Sequence, residues 1–367
     1  MTNPLLDLSR FGQSYWLDDL SRGMIRSGEL QRRVAEEGLT GVTSNPTIFH
    51  AALSKGTDYS DQLRKLSGQP AHTIYEALIV SDVRDACDIL RPVYDRTEGR
   101  DGFVSLEISP NLARNIHGSV VEARRYWQEV SRPNLLIKVP GTIEGVSVVE
   151  QLLAEGINVN VTLLFSVERY HEVALAYINA LERRKVDRLP LTNVASVASF
   201  FLSRIDTLVD KLLRQKIENG IAEAKNLLGK AAVANAKLAY QKYKELIASG
   251  RWHFVEAAGA RPQRLLWAST STKNPSYSDL MYVEPLIGRQ TINTMPLQTI
   301  AAFADHGKAA ETLEQGIDEA KRVMRDLQAI GIDMQEVTRQ LLDEGIQKFV
   351  DSYNEILQLI AAKTIAA

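Results

Sequence analysis

The chain has 367 residues, of which 45% are hydrophobic and 24% charged, the balance of a globular protein that can bury a core without disulfides or metals. It has 43 basic and 45 acidic residues, and this net charge of −2 excludes the basic excess typical of nucleic-acid-binding proteins. Cys87 is the only cysteine, which excludes an intrachain disulfide. No stretch reaches the roughly 18 apolar residues that span a bilayer, so we expect a cytoplasmic protein without a membrane partner.

Short apolar runs alternate along the chain with longer amphipathic segments. The predicted strands are Ser14–Asp18, Leu39–Ser44, Gly102–Ile108, Asn134–Val139, Ile157–Leu163, Thr192–Ser199, Arg264–Thr270 and Thr291–Thr294. Helices are predicted at Ser27–Glu37, after Pro46, from Ser109 to about Val130, from after Thr142 to Gly156, from near Ser166, and over Phe201–Asn219 and Asn226–Ala248. This alternation predicts parallel βαβ units, and eight of them favour an α/β fold, the (β/α)8 TIM barrel with additional helices.

The remaining segments are predicted to be helical additions to the barrel. One covers Asp58–Leu90, and another runs from about Gln298 to Ala362 with a turn at Gly331. No low-complexity linker or block of charge divides the chain. We therefore expect a single domain over residues 1–367, with barrel motifs to about residue 296 and a helical extension over 297–367 that has no assigned role.

Polar side chains recur near the carboxyl ends of the predicted strands. They are Asp18, Thr43, Asn45, Glu107, Lys138, Asn160, Thr162 and Ser199. Any one of them could simply be a strand end that meets solvent. In a TIM barrel, however, the loops that follow the strands converge at this edge and build the active site. Recurrence on successive strands therefore indicates a functional site.

Lys138 lies within the apolar run LLIKV. If its strand faces the barrel interior, desolvation favours the neutral amine and makes it a usable nucleophile for a carbonyl. The alternative is a lysine that extends its ammonium to solvent at a strand end. Asp18 and Glu107 end separate strands and could move protons beside it, although each could also be an ordinary cap or surface charge. Together the three residues are the minimum equipment for Schiff-base aldol chemistry.

Several common catalytic signatures do not occur in the sequence. The chain has no GxGxxG, no GxxxxGK[ST] and no GxSxG motif. An HExxH match that begins at His171 fails because Leu175 stands where the second histidine is needed. We therefore expect no metal and no nicotinamide or nucleotide cofactor.

Seven motifs resemble those of one enzyme family. In chain order they are WLDDLSR, GVTSNPTIF, VSLEISP, LLIKVPGT, INVNVTLLFS, SFFLSRID and ASTSTKNP, and they extend to about residue 275. The sequence resembles the transaldolases, class I aldolase-type TIM barrels of the pentose phosphate pathway. The resemblance implies transfer of a dihydroxyacetone unit from sedoheptulose 7-phosphate or fructose 6-phosphate to glyceraldehyde 3-phosphate or erythrose 4-phosphate. Phosphorylated sugars are thus the expected partners.

The resemblance also implies roles for the residues of the reacting centre. Lys138 looks like the Schiff-base lysine, and Asp18 like the acid/base that takes the proton of the C4 hydroxyl. Glu107 would act through a water molecule held by Thr162 when the carbinolamine forms and dehydrates.

A second group of residues resembles the substrate-binding positions of the family. Asn45 and Asn160 would hydrogen-bond the dihydroxyacetone hydroxyls, with Thr43 supporting them. Ser199 and Arg204 match phosphate-binding positions, and Lys273 stands where better-known members carry arginine. Related aldolases have a tyrosine where this chain has Phe201, which suggests transfer rather than release of the three-carbon unit.

Two other functions are compatible with these residues. One is a lyase of the fructose 6-phosphate aldolase type, although such relatives are usually much shorter. The other is a non-catalytic barrel that binds sugar phosphates, which would not need Lys138, Asp18 and Glu107. A monomer and a homodimer are both compatible with the sequence.

Overall fold

The computed structural model describes residues 3–55 and 57–365. Eight parallel strands close into a barrel in which each strand pairs with the next along the chain and the last pairs with the first. The strands are β1 (Gln13–Leu17), β2 (Gly41–Thr43), β3 (Phe103–Glu107), β4 (Leu135–Pro140), β5 (Val159–Leu164), β6 (Ser196–Phe201), β7 (Arg264–Ala268) and β8 (Thr291–Met295). The predicted (β/α)8 barrel is confirmed.

Helices surround the barrel and extend beyond its last strand. The α-helices are α1 (Pro4–Asp7), α2 (Arg22–Arg26), α3 (Glu29–Glu36), α4 (Pro46–Ser54), α5 (Ser60–Lys65), α6 (Ala71–Arg96), α7 (Ile116–Val130), α8 (Ile143–Glu155), α9 (Val167–Val186), α10 (Ser203–Glu218), α11 (Ala231–Ile247), α12 (Gly250–Glu256), α13 (Leu297–His306), α14 (Ile317–Ala329) and α15 (Met334–Ile365). Short 3-10 turns occur at Leu8–Phe11, Pro110–Leu112, Ala222–Leu227 and Glu284–Leu286. None of the described helices combines the length and the apolar character needed to cross a membrane.

The strands are apolar because helices cover one face and the barrel interior covers the other. Every residue of β3, β4, β5 and β6 is buried. Parallel sheets covered on both faces have near-continuous hydrophobic strands. A charged residue inside such a strand is therefore unusual, and for this reason Lys138 could be singled out from the sequence alone.

Several predicted helix boundaries agree with the structure because the cap residues act as expected. Asn45 caps α4 by accepting a hydrogen bond from the Ile48 amide, and Pro46 occupies the first turn. Thr142 and Ser166 cap α8 and α9 in the same way. Gly156 ends α8 in the left-handed conformation.

Other predicted boundaries were wrong. The strand predicted over Thr192–Ser199 spans Ser196–Phe201 instead. It begins late because the Val194 amide donates to the Leu191 carbonyl in a turn, and the Ala195 amide donates to the side chain of Asn158. The helix predicted from Ser109 begins only after Asn115, which caps α7, while Pro110–Leu112 forms a 3-10 turn.

Two predicted helices begin later than expected. Over Ser27–Glu37 the helix is α3, which begins at Glu29, because Ser27 is the C-cap of α2 and Gly28 has φ +78°. Asn226–Ala248 overlaps the end of the 3-10 turn Ala222–Leu227 and then α11, with Gly229 at φ +69° between them. A glycine in the left-handed region lies before each helix, since helical residues need negative φ.

Candidate active site

A cavity of about 710 Å³ opens at the carboxyl ends of the strands. Nine of the eleven residues predicted for the site line it, namely Asp18, Thr43, Asn45, Lys138, Thr162, Ser199, Phe201, Arg204 and Lys273. The other two, Glu107 and Asn160, are buried and contact residues of the lining. The structure thus brings all eleven residues to one end of the barrel.

Strand register explains how Glu107, Lys138 and Asn160 come together. Glu107 pairs with Lys138 across β3 and β4, and Lys138 pairs with Asn160 across β4 and β5. Residues at the same register on neighbouring strands point to the same face of the sheet. Lys138 Nζ consequently lies 3.2 Å from Glu107 Oε2, with side chains only 4% and 3% exposed, and donates a hydrogen bond of 3.1 Å to the Ser44 carbonyl oxygen.

Glu107 is a carboxyl group with unused hydrogen-bonding capacity. Neither oxygen has a hydrogen-bond partner with suitable geometry among the described residues, and the same holds for the hydroxyl of buried Thr162. Burial raises the pKa of Glu107, and the Lys138 ammonium partly opposes that rise. A carboxyl group with a raised pKa holds a proton more readily than an ordinary glutamate, as a general acid requires. Buried polar groups without hydrogen-bond partners are often found where a protein binds a ligand or a water molecule.

Asp18 lies directly after β1, where β1 meets β2 and β8. Its Oδ1 accepts a hydrogen bond of 2.7 Å from Thr43 Oγ1, which also lies 2.7 Å from Thr294 Oγ1. The amide of Asp18 donates to the Met295 carbonyl. Burial raises the pKa of the Asp18 carboxyl, while Lys138 and the Thr43 hydrogen bond act in the opposite direction. The result is a fixed carboxyl group able to act as an acid or a base.

A hydrogen-bonded chain fixes the amide of Asn160. Ser199 Oγ donates to Asn160 Oδ1 at 2.7 Å, and Asn160 Nδ2 donates to Ser105 Oγ at 3.0 Å. All three side chains are buried. Ser199, predicted to bind phosphate, therefore contacts the residue that neighbours Lys138 in the sheet. Asn45 likewise uses its side-chain oxygen to cap α4, which leaves its amide nitrogen for other partners.

Cations line the part of the cavity beyond Lys138. Arg204 lies 5.5 Å from the ring of Phe201, which itself packs against Phe165. Burial lowers the pKa of Arg204. Lys273 Nζ lies 2.6 Å from Ser271 Oγ, and burial lowers its pKa as well. For Arg204, the nearby carboxylates of Glu107, Glu344 and Asp18 only partly offset this cost of burying the charge.

Two residues with positive φ adjoin the site. Leu163, directly after Thr162, has φ +57° and lies at an irregularity in the pairing of β5 with β6. Ser269, directly after β7, has φ +56° and lines the cavity. Such conformations cost roughly 1–3 kcal/mol and concentrate at functional sites, where they redirect neighbouring side chains.

Helix α15 contributes to the site, which the sequence did not predict. Five of its residues line the cavity, namely Gln340, Leu341, Glu344, Lys348 and Phe349. The Phe349 ring is 5.9 Å from Lys138 Nζ and 5.9 Å from Arg204 Cζ. Polar residues four apart on a helix look like an ordinary solvent face, so the sequence carried no signal for this contact. Within the predicted extension, α15 thus forms part of the wall of the site.

A second cavity of about 380 Å³ lies at the opposite end of the barrel, around Arg264 and Asp101. It shares no lining residue with the site around Lys138. Within residues 3–55 and 57–365, no group of three histidine, cysteine or acidic side chains is arranged to hold a metal ion.

The chain is similar to known proteins over nearly its whole length. A sequence model of the family described as Transaldolase/Fructose-6-phosphate aldolase matches residues 15–360. The chain belongs to this family. The resemblance read from the seven motifs is thereby confirmed, and the match extends past them into α15.

Relatives within the family match over nearly their whole lengths. A protein named Transaldolase from Thiobacillus denitrificans is 50% identical over 356 residues, covering 96% of this chain and 98% of the relative. Transaldolase 2 from Nostoc sp. is 48% identical over 371 residues, covering 98% and 97%. Transaldolase from Thermobifida fusca is 47% identical over 369 residues and covers all of both chains.

Proposed function

We propose that the chain is a transaldolase that transfers a dihydroxyacetone unit between phosphorylated sugars through a Schiff base on Lys138. The family and the relatives named transaldolase support the activity. The observation that carries the role of Lys138 is its position, buried in β4 between the under-bonded Glu107 and the fixed amide of Asn160. A barrel that only bound sugars would not need an amine there.

The first half of the reaction forms the carbon–nitrogen bond. Lys138 passes a proton to Glu107, and its neutral amine then attacks the C2 carbonyl of the ketose phosphate. The proton that the nitrogen loses moves to the carbonyl oxygen, which becomes the hydroxyl of a carbinolamine. Glu107 then supplies the proton with which this hydroxyl leaves as water, and an iminium remains. The free hydroxyl of Thr162 supports this proton transfer by holding a water molecule beside Glu107. The raised pKa of Glu107 suits a group that must carry a proton at this stage.

Carbon–carbon cleavage follows. Asp18 takes the proton of the C4 hydroxyl, the C3–C4 bond breaks, and its electron pair moves into the iminium to give an enamine. The aldose phosphate product leaves as an aldehyde. The steps then run in reverse with a second aldose phosphate, and water finally releases the new ketose phosphate from Lys138.

The remaining residues hold the substrate. We assign the dihydroxyacetone hydroxyls to Asn45 and Asn160, with Thr43 orienting Asp18 and Ser199 orienting Asn160. The phosphate is assigned to the cations Arg204 and Lys273. Because Lys138 Nζ and Arg204 Cζ both lie 5.9 Å from the Phe349 ring, they are at most about 12 Å apart. Binding energy at the phosphate can thus position the reacting carbons.

The test is to trap the Schiff base with borohydride in the presence of fructose 6-phosphate and to map the label by peptide mass spectrometry. We expect a three-carbon unit on Lys138, and no label in Lys138→Arg, whose fold is checked by circular dichroism. Lys273→Arg serves as the control, because it also removes a cavity lysine but keeps the proposed nucleophile. Label on another lysine would overturn the assignment, and active protein without label would overturn the Schiff base.

The same preparation distinguishes the alternative activities. Steady release of free dihydroxyacetone without an acceptor would identify a lyase, whereas binding without trapping or turnover would identify a non-catalytic barrel. We further propose a cytoplasmic location, where phosphorylated sugars are found. A monomer or a homodimer would serve equally, because one chain contributes all the residues named for the site.

A further inference from the structure

The outer part of the cavity has more positive charge than the protein itself neutralises. Arg204, Lys211, Lys273 and Lys348 line it. Among the described residues, neither Arg204 nor Lys348 takes part in a side-chain hydrogen bond or an ion pair, and Lys273 bonds only to the neutral Ser271 hydroxyl. Crowded cations without partners repel one another, and a bound anion would relieve that repulsion.

The close approach of α15 to Arg204 depends on Gly345. A Cβ at this position would lie 3.1 Å from Arg204 Nη1 and 3.0 Å from Leu163 Cδ2, so a larger residue would push the helix away. Glycine destabilises a helix interior relative to alanine, and this close contact explains why glycine is present here. The next residues on the same side, Lys348 and Phe349, are thereby held over the cavity.

Glu344 and Lys348 lie one helical turn apart and both line the cavity. This is the spacing at which glutamate and lysine usually pair, but here Glu344 accepts a hydrogen bond of 2.7 Å from Gln340 instead. The charge of Glu344 partly opposes the lowering of the Arg204 pKa, and the charges of Lys348 and Arg204 add to the lowering of the Lys273 pKa. The charges of Glu344 and Lys348 on α15 therefore act on the cations of the proposed phosphate site.

We propose that Lys348 is a further phosphate-binding residue and that Glu344 weakens phosphate binding by like-charge repulsion, so that α15 sets the preference for phosphorylated sugars. This inference rests on the proposed function, since it concerns the same site. It differs from the expectation for an inert covering helix, which would contribute shape but no charge. The two residues should have effects of opposite sign, although they lie on the same face of one helix.

The experiment measures two quantities in the full chain, the dissociation constant for inorganic phosphate and the ratio of kcat/KM for fructose 6-phosphate to that for fructose. At low ionic strength we expect Lys348→Met to weaken phosphate binding and lower the ratio by roughly 5- to 20-fold, with a smaller effect at high salt. Lys348→Arg should stay close to wild type. Glu344→Gln should strengthen phosphate binding by roughly 2- to 5-fold.

Matched controls remove the same charges elsewhere. Lys321→Met on α14 and Glu336→Gln on α15 alter exposed residues outside the cavity, and both should leave the phosphate dissociation constant unchanged. Unchanged phosphate binding in Lys348→Met, or equal shifts in Lys348→Met and Lys321→Met, would overturn the inference.

The two proposals can fail separately. If fructose 6-phosphate and borohydride leave Lys138 unlabelled while Lys348→Met still weakens phosphate binding, the proposed function fails and the phosphate site stands. If Lys138 is labelled and Lys348→Met binds phosphate as the wild type does, the role of Lys348 fails and the catalytic proposal stands.

Discussion

The two ends of the barrel each contain a buried carboxyl group beside a cation, and they use it differently. At the amino end, Asp101 accepts hydrogen bonds from the Trp16 indole, the Gly102 amide and the Ser14 hydroxyl, and pairs with Arg264 at 3.4 Å. At the carboxyl end, Glu107 has the Lys138 ammonium at 3.2 Å but no hydrogen bond of suitable geometry from a described residue. The first group is satisfied by the protein, and the second is not.

This difference fits a structural role for Asp101 and the proposed catalytic role of Glu107. Arg264 also donates to Ser14 and to the Thr291 carbonyl, so the Asp101 cluster connects β7, β1 and β8. A buried carboxyl group whose hydrogen-bond partners lie within the fold rigidifies it, whereas a buried carboxyl group without them costs stability unless a ligand supplies them. Changes at the amino end should therefore affect stability, and changes at the carboxyl end should affect turnover.

The largest effect is expected at Asp18. Asp18→Asn should reduce transfer from fructose 6-phosphate by roughly 10²- to 10⁴-fold, because a general acid/base contributes that much. Carbinolamine formation should be far less affected, since the proton in question comes from the C4 hydroxyl. Single-turnover trapping separates the steps, and equal losses in trapping and cleavage would refute this assignment.

At the amino end the expected effect is on folding. Asp101→Asn leaves Arg264 without its counter-charge, and breaking a buried ion pair in this way typically costs about 3–5 kcal/mol. Denaturant titration should show that loss in the free energy of unfolding, while kcat per folded molecule stays at the wild-type value. A fall in kcat as large as that of Asp18→Asn would remove the distinction between the two ends.

A smaller effect should appear in the pH dependence of stability. Because burial raises the pKa of Glu107, the folded chain holds that proton more tightly than the unfolded chain, and stability falls as pH rises from about 4 through the raised pKa. Glu107→Gln cannot titrate at this position, so its free energy of unfolding should fall less with pH. The variant should therefore become increasingly more stable than the wild type as pH rises through that window. Urea midpoints measured at several pH values test this.

The Lys138 ammonium gives a control for the same experiment. It opposes the rise in the pKa of Glu107, so Lys138→Met should move the pH window further upward. If the urea midpoints of wild type, Glu107→Gln and Lys138→Met change with pH in parallel, the Glu107 carboxyl does not titrate in this range.

The smallest effect is expected at Phe201, which packs against Phe165 beside Arg204. A phenol at this position could orient a water molecule that protonates the enamine, and one hydrogen bond is worth about 0.5–1.5 kcal/mol. Phe201→Tyr should therefore raise release of dihydroxyacetone relative to transfer by roughly 2- to 10-fold. The ratio of released dihydroxyacetone to transferred product, measured with and without an aldose phosphate, tests this. Phe165→Tyr is the matched control. An unchanged ratio in Phe201→Tyr would show that Phe201 does not set the balance between release and transfer.

The sequence predicted the barrel and the clustering of the candidate site residues because both depend on strands. β3, β4 and β5 are continuous apolar runs, and a charged residue within or directly after such a run must meet the barrel mouth. The register that sets Lys138 beside Glu107 follows from ordinary pairing of neighbouring strands.

What the sequence left out depends on contacts between distant segments. The start of β6 is set in part by the side chain of Asn158, one strand earlier, and no local pattern encodes that bond. The contribution of Phe349 and Lys348 requires α15 to lie across the mouth, and Gly345 has meaning only beside Leu163 and Arg204. Periodicity predicts that a helix forms, but not which surface it covers.

The hydrogen bonds around Asp18 also have a consequence for the time course of folding. Asp18 obtains its geometry from Thr43 and, through it, from Thr294, at the seam where the first strand pairs with the last. The hydrogen bond between Gln13 and Thr291 at that seam joins residues 278 positions apart. Contacts of such long range form late, after the helices and neighbouring strand pairs. During refolding from denaturant, recovery of carbon–carbon cleavage should therefore lag behind recovery of helical circular dichroism, so the enzyme's own turnover reports when the barrel has closed.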